Sequence, residues 1–280
     1  MEKILVVGVN GMLGNALAKT AGDSFEVVGT CNESGGPIKL DITKAREVYG
    51  LIKKIKPELV VNCAAITNVD FCEENPSVAE SVHVAGTKNL SDACHETGVK
   101  FIHISTDFVF DGLKGNYNET DHAAPINVYG RTKLAGEKMA ENDLVLRTCI
   151  FGKNVAAKKS MVEWIVGELS ASRPISVFND SFFTPMYTGH LAQIILEAYR
   201  KDLKGLFHAA STVRVGKFTF AKAVADVYGL DKDLISPSSI TSFNRPAKRP
   251  ADTSLDCSKI MRHGIKLNNF KDEIGMMKHD

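Results

Sequence analysis

Tyr129 and Lys133 stand four residues apart in the stretch Tyr129-Gly130-Arg131-Thr132-Lys133. On a helix that spacing projects both side chains from one face, about one turn from each other. An ammonium beside a phenol favours the phenolate and lowers a pKa that is ordinarily about 10. A phenol tuned in this way can serve as a general acid or base near neutrality. The same spacing occurs in helices that do no chemistry, so the rest of the chain must supply the context. Upstream, Ser105-Thr106-Asp107 closes the apolar run from Val99 to Ile104, which reads as a strand. A hydroxyl at that strand end can hydrogen-bond a substrate carbonyl oxygen beside the tyrosine, although capping explains Ser-Thr there equally well. The polar Asp111 to Pro125 stretch reads as a loop able to cover such a site.

These residues need elements to bring them together, and the first half of the chain alternates strand and helix. Ile4–Val7 reads as a buried strand and Leu13–Ala21 as a helix. Between them, Gly8, Gly11 and Gly14 in Gly8-Val9-Asn10-Gly11-Met12-Leu13-Gly14 allow a tight turn and close approach of a pyrophosphate. The helix N-terminus then offers N–H groups and a positive dipole end to that anion. A second strand, Glu26–Cys31, ends at Thr30-Cys31-Asn32, with neither the acid that favours NAD nor an arginine. The missing carboxylate leans toward NADP(H), with NAD(H) as the alternative. Asp41-Ile42-Thr43 opens the next helix, with Thr43 as its expected N-cap and Asp41 near the adenine. After the strand Leu59–Asn62, the small residues Cys63-Ala64-Ala65 and the loop to Thr67 would flank the cofactor. Asn75-Pro76 starts a long helix to about Thr97. His83 lies on it and reads as an ordinary packed or surface histidine.

The fold class expected is α/β, a Rossmann-like doubly wound parallel sheet with a smaller C-terminal substrate-binding portion. Residues 1–150 would form the dinucleotide-binding domain and 151–280 mainly the substrate-binding portion, with segments near 175–200 crossing back. In that second half Lys158–Ser170, Thr188–Tyr199 (capped by Thr188) and Phe218–Tyr228 read as helices, and Ile175–Phe178 and Gly205–His208 as strands. Pro237–Pro250 reads as irregular and basic at its end, through Arg245, Lys248 and Arg249. Beside a cleft it would suit a diphosphate. Asn268–Asp280 reads as a short helix or tail.

Composition removes other classes. Lysine and arginine total 34 against 33 acidic residues, so neither nucleic acid nor a membrane surface has electrostatic support. The cysteines at 31, 63, 72, 94, 149 and 257 include no Cys-x-x-Cys pair and no His/Cys metal spacing, so no metal site is expected. A reducing cytoplasm is the simplest location. The apolar run at the N-terminus is too short for a signal or a span. Oligomeric state stays open, a homodimer included.

Several stretches together resemble the extended short-chain dehydrogenase/reductase superfamily and, within it, the dTDP-4-dehydrorhamnose reductase family. They are Gly8-x-x-Gly11-Met-Leu-Gly14, Asn62-Cys-Ala-Ala65, Ser105-Thr-Asp-Phe-Val-Phe-Asp-Gly112 and Tyr129-Gly-Arg-Thr-Lys-Leu-Ala-Gly-Glu137. Leu146-Arg-Thr148 and Arg249-Pro-Ala-Asp-Thr-Ser-Leu-Asp256 complete the set. The resemblance implies an NAD(P)H-dependent reductase of a 4-keto nucleotide sugar. Tyr129 would protonate the carbonyl oxygen, Lys133 would hold the nicotinamide ribose and lower the tyrosine pKa, and Thr106 would orient the carbonyl. Thr67, Val69, Ile150 and Arg249 would border the sugar nucleotide. Three departures concern the sugar site: Ile150 stands where an aromatic residue is usual, His83 replaces an asparagine, and Phe183-Thr184-Pro185-Met186-Tyr187 differs from the usual stretch. The same resemblance allows two alternatives. One is an NADP-binding regulatory partner like the regulatory subunit of methionine adenosyltransferase; the other is a nucleotide-sugar epimerase or dehydratase.

Overall fold

The structure is a computed structural model that describes residues 1–22, 24–32, 38–154, 159–242 and 245–280. Lys158, taken above as a helix start, lies outside the described residues. Strands β1 (Glu2–Val7), β2 (Phe25–Cys31), β3 (Ile38–Lys39), β4 (Leu59–Asn62), β5 (Lys100–Thr106) and β6 (Leu144–Thr148) form the central sheet with Gly205–His208. Among the described residues all its pairings are parallel, in the order Gly205–His208, β6, β5, β4, β1, β2, β3. Parallel strands buried on both faces need uninterrupted apolar sequence, which Ile4-Leu5-Val6-Val7 and Leu59-Val60-Val61 provide. Alternation sends Ile4, Val6, Leu59 and Val61 into one core layer and Leu5, Val7 and Val60 into the other. Helix α1 (Met12–Ala21) and the Thr188–Arg200 helix cover the first layer, while α2 (Ala45–Ile55) and the Gly86–Thr97 helix cover the second. The strand order reverses at β1 and β4, the point at which open α/β sheets bind ligands at their carboxyl ends.

A second core lies outside this sheet. Phe151, Val162, Ile165, Ile175, Phe183, Phe220 and Ile274 pack together there. Residues 175–178 belong to this core, whereas 188–208 return to the central sheet, as do Leu255, Cys257 and Ile260. The terminal segment is a helix, Phe270–His279, capped by the Asn269 side chain and docked through Phe270, Ile274 and Met277. Its Glu273 is fully buried, accepting from the Tyr187 N–H at 2.9 Å and pairing with His190 at 2.5 Å. Pro237 and Ser238, expected in an irregular stretch, sit on a strand (Ile235–Ser238) parallel to Ile175–Phe178. No helix among the described residues is long and apolar enough to cross a membrane.

Three expected boundaries change for local reasons. Thr43 does not cap α2. Asp41 accepts from both its N–H (3.0 Å) and its hydroxyl (2.7 Å), forming a separate turn before the helix. Thr188 is the first helical residue, preceded by Tyr187 at the cap position. The long helix from Pro76 to Thr97 is interrupted at Ser81–Ala85 by a π-helical turn. A further helix, Val69–Glu74, precedes it with Asn68 as its cap.

Three buried histidines give the fold an acid limit. Burial pushes His83 and His208 down to about 3, and lowers His103 as well. The unfolded chain takes up protons first once pH falls below about 6.5, so this stability is full above that value and lost as pH falls toward 3. Each histidine contributes a slope of about 1.4 kcal/mol per pH unit in that window. Urea midpoints should therefore fall steadily from pH 7 to pH 5, and identical midpoints would refute the burial-driven shifts.

Candidate active site

At the carboxyl ends of β1, β4, β5 and β6 lies a cleft of about 630 Å³. The glycine turn forms one wall. Gly8, at φ +84°, donates its N–H to the Thr30 carbonyl at 2.9 Å, and its own carbonyl accepts from Gly11 at 3.0 Å. A Cβ on Gly8 would stand 2.8 Å from the Ala64 nitrogen, and one on Gly14 would stand 2.2 Å from the Gly8 oxygen. Only glycine permits this approach of turn, helix and β4 loop. The N-cap of α1 is Gly11, with no side-chain hydrogen bond, which leaves first-turn N–H groups for an anion. Asn10, Gly11, Met12 and Leu13 face the cleft.

Beside this turn, Cys63, Ala65, Thr67 and Val69 line the side after β4. Ala64 is turned the other way, its N–H donating to the Asn62 carboxamide oxygen at 3.1 Å. Ile150 lies at the far side of the cleft, next to Thr148 and Cys149. The other residues singled out from the sequence sit further off. Thr30 is fully buried behind the turn, and Asn32 is exposed at the end of β2. Asp41 is engaged with Thr43, and the Ile42 side chain is buried in the core. Arg249 is held by Asp70 at 2.9 Å and by the Ala247 carbonyl at 2.9 Å, against the helix that begins at Val69.

Thr106, Tyr129 and Lys133 meet in the cleft. Thr106 closes β5 itself rather than following it, is 6% exposed, and brings its hydroxyl close enough to the Tyr129 phenol to hold its pKa down. The Val128–Met139 helix that carries Tyr129 and Lys133 starts at Asn127. The Asn127 side chain accepts from Gly130 N–H and donates to the Lys248 carbonyl, both at 2.8 Å. That cap fixes the phenol against β5 and ties the helix start to the basic C-terminal segment.

The electrostatics correct the expectation drawn from spacing. Burial raises the Tyr129 phenol above its ordinary value, with the Thr106 hydrogen bond opposing it. Lys133 points its ammonium to the Ile104 carbonyl at 2.7 Å, and burial pushes it down to about 8 while Glu137 and Cys63 oppose. With the ammonium turned to the Ile104 carbonyl, no cation among the described residues offsets the desolvation of the phenol, and Tyr129 is a protonated hydroxyl at neutral pH. Glu137 is itself neutralised by a two-point contact from Arg147 (2.9 and 2.7 Å) and by Ser105 at 2.5 Å.

Two further polar residues lie around this set. Asp107, 2% exposed, accepts from Thr106 at 3.1 Å and from the Thr253 hydroxyl. Burial raises its carboxyl despite those bonds. The Thr253 contact shows why the 249–256 stretch accompanies the 105–112 stretch. Asp252 N–H donates to Gly112 O at 3.2 Å and Tyr117 N–H to Ser254 O at 2.8 Å, so the two stretches run side by side behind Asp107. Thr148 lines the cleft 4% exposed, its hydroxyl without a partner among the described residues. Both stand in stretches quoted above, Ser105-Thr106-Asp107 and Leu146-Arg-Thr148, but neither position stands out by itself, because the Thr253 contact and the buried Thr148 hydroxyl are long-range features.

Comparison with known proteins agrees with this architecture. The RmlD substrate binding domain model matches residues 1–280. A probable low-salt glycan biosynthesis reductase, Agl14 of Haloferax volcanii, is 35% identical, covering 91% of this chain and 90% of its own. The dTDP-4-dehydrorhamnose reductase of Aggregatibacter actinomycetemcomitans is 33% identical, covering 97% and 96%. The solved structure of dTDP-4-dehydrorhamnose reductase from Bacillus anthracis in complex with NADP superposes with a TM-score of 0.92 at 26% identity, covering 99% of each chain. The motifs, the sheet order and this end-to-end match place the chain in the RmlD substrate binding domain family.

Proposed function

We propose that the protein is an NADPH-dependent reductase that converts the 4-keto group of a nucleotide-linked sugar to an alcohol, in the manner of dTDP-4-dehydrorhamnose reductase. The observation that carries this reading is the Thr106–Tyr129 hydroxyl pair beside Lys133, in one cleft with the glycine turn. The turn suits a dinucleotide because Gly8 and Gly14 let turn, helix and β4 loop pack closer than any Cβ allows, which brings uncapped helix N–H groups to the cleft. Gly8, Asn10, Gly11, Met12, Leu13 and Gly14 would hold the pyrophosphate, and Thr30, Asn32, Asp41 and Ile42 the adenosine end. Cys63, Ala64, Ala65, Tyr129 and Lys133 would flank the nicotinamide half. Among the described residues the β2 tip, Thr30-Cys31-Asn32, offers no carboxylate to repel a 2′-phosphate, which supports NADP(H) over NAD(H). Bound there, the reduced cofactor supplies hydride to the keto carbon.

The chain's own residues do the rest. Thr106 and Tyr129 hydroxyls direct hydrogen bonds to the substrate oxygen, and Tyr129, protonated at neutral pH, releases its proton as negative charge develops there. The buried Lys133 ammonium stabilises the phenolate that remains. Thr67, Val69 and Ile150 offer the sugar a largely apolar wall. The basic segment would serve the diphosphate: burial lowers Lys217, the charges of Arg249 and Arg245 lower it further while Cys149 and Asp107 oppose, and Arg249 would exchange its Asp70 partner for the ligand. Such a cluster next to the cleft favours a doubly anionic ligand.

The test is turnover by purified protein with NADPH and NADH side by side against a panel of 4-keto nucleotide sugars. Loss of the nicotinamide absorbance with formation of the reduced sugar nucleotide is expected, faster with NADPH. No turnover on any keto-sugar, with capture of a methionine adenosyltransferase, would transfer the chain to the regulatory reading. Tightly retained NAD with no net reduction would point to an epimerase or dehydratase.

A further inference from the structure

The π-helical turn Ser81–Ala85 carries His83, and π turns inside α-helices recur at functional sites because they re-aim a side chain. His83 is 1% exposed. Its Nε2 accepts the Ile66 N–H at 2.9 Å, so that nitrogen bears no proton. Burial, reinforced by the Lys133 charge, keeps the ring neutral, and its single proton therefore sits on Nδ1. From there it donates to the Thr132 hydroxyl at 2.8 Å, which donates onward to the Val128 carbonyl at 2.9 Å. The imidazole also meets the Tyr129 ring edge to face, 5.8 Å between centroids, and Phe108 makes a second such contact at 5.9 Å. One side chain thus joins the loop after β4, which faces the cofactor side of the cleft, to the helix bearing the phenol and the lysine.

We propose that His83 is a positioning residue, acting as a neutral Nδ1–H imidazole that locks the Ile66 loop to Thr132 and so sets the Tyr129 hydroxyl against Thr106. The proposal rests on Tyr129 being the acid of the reductase reading. A purely structural histidine would affect stability alone. A positioning one affects turnover through two hydrogen bonds that another side chain can reproduce.

The experiment compares His83→Leu, His83→Gln, Thr132→Val and the His83→Leu/Thr132→Val double variant in full-length protein. The readouts are kcat, KM for NADPH, KM for the keto-sugar and melting temperature. Leucine keeps bulk and makes neither bond, and a misplaced reacting group costs rate steeply, so kcat should fall about tenfold or more with a raised NADPH KM. Glutamine can accept from Ile66 and donate to Thr132, and should restore kcat to within about threefold of wild type. Thr132→Val should reproduce the leucine defect, and the double variant should be no worse than either single change. Wild-type kcat in His83→Leu, no rescue by glutamine, or defects that multiply in the double variant would each overturn the proposal. If His83→Leu does not fold, Thr132→Val decides alone. Nitrogen NMR of the imidazole reads the tautomer without turnover: an Nδ1–H signal is expected, and Nε2–H would refute the assignment even if the reductase reading itself failed.

Discussion

Replacement of Tyr129 by phenylalanine should lower kcat by about 10²–10⁴-fold, the range for losing a positioned general acid. The ring stays, so its edge-to-face contacts with His83 and Phe108 are kept and the melting temperature should barely move. What disappears is the hydroxyl that faces Thr106. Because burial holds that phenol above its ordinary value, the wild type keeps the proton it must donate across the neutral range. Lys133, titrating near 8, loses its charge as pH rises through that value. Activity should therefore fall on the alkaline side of pH 8 as the cation that steadies the phenolate is lost. NADPH affinity in Tyr129→Phe, measured by fluorescence titration, should stay within about threefold of wild type, since the glycine turn is untouched. A variant with undiminished kcat would remove Tyr129 from the chemistry.

Arg147→Leu should be the most destabilising single change near the site. Arg147 and Glu137 are 5% and 8% exposed, and their two-point contact neutralises a carboxylate next to Lys133 and Ser105. Removing the cation strands that carboxylate, which costs about 3–5 kcal/mol. In a chain of this size the melting temperature should fall by about 2–4 °C per kcal/mol. The double variant Glu137→Leu/Arg147→Met removes both charges and should be more stable than Arg147→Leu alone. Equal melting temperatures for wild type and Arg147→Leu would show that Glu137 is neutralised in some other way.

The elements that place these residues were legible where the sequence repeats a simple physical constraint. Continuous apolar runs mark strands buried on both faces, and Gly8, Gly11 and Gly14 mark a turn that tolerates no Cβ. Four-residue spacing put Tyr129 and Lys133 on one helical face, and both reach the cleft. Spacing could not give the balance of energies there. Spacing alone predicts a cation beside the phenol and a more acidic hydroxyl, but the ammonium's carbonyl partner and the desolvation of the phenol are tertiary features, and the phenol rises instead. Long-range partners escaped for the same reason. Thr253 reaches Asp107 across 146 residues, and Thr132 reaches His83 across 49. The π turn that aims His83 leaves no periodic mark, because a single inserted turn shifts the apolar stripe without ending it. Boundaries moved where a side chain outcompeted the helix for its own backbone, as Asp41 does with Thr43.

The most direct measurement follows the transferred hydrogen itself. Protein, NADPH deuterated at the transferable position and a nucleotide-linked 4-keto sugar are mixed in a single turnover, and the product is read by mass spectrometry and NMR. The account predicts one deuterium on the former carbonyl carbon, and none when Tyr129→Phe is used over the same interval. Deuterium that stays on the cofactor with wild-type protein, or an equal transfer by Tyr129→Phe, would contradict it.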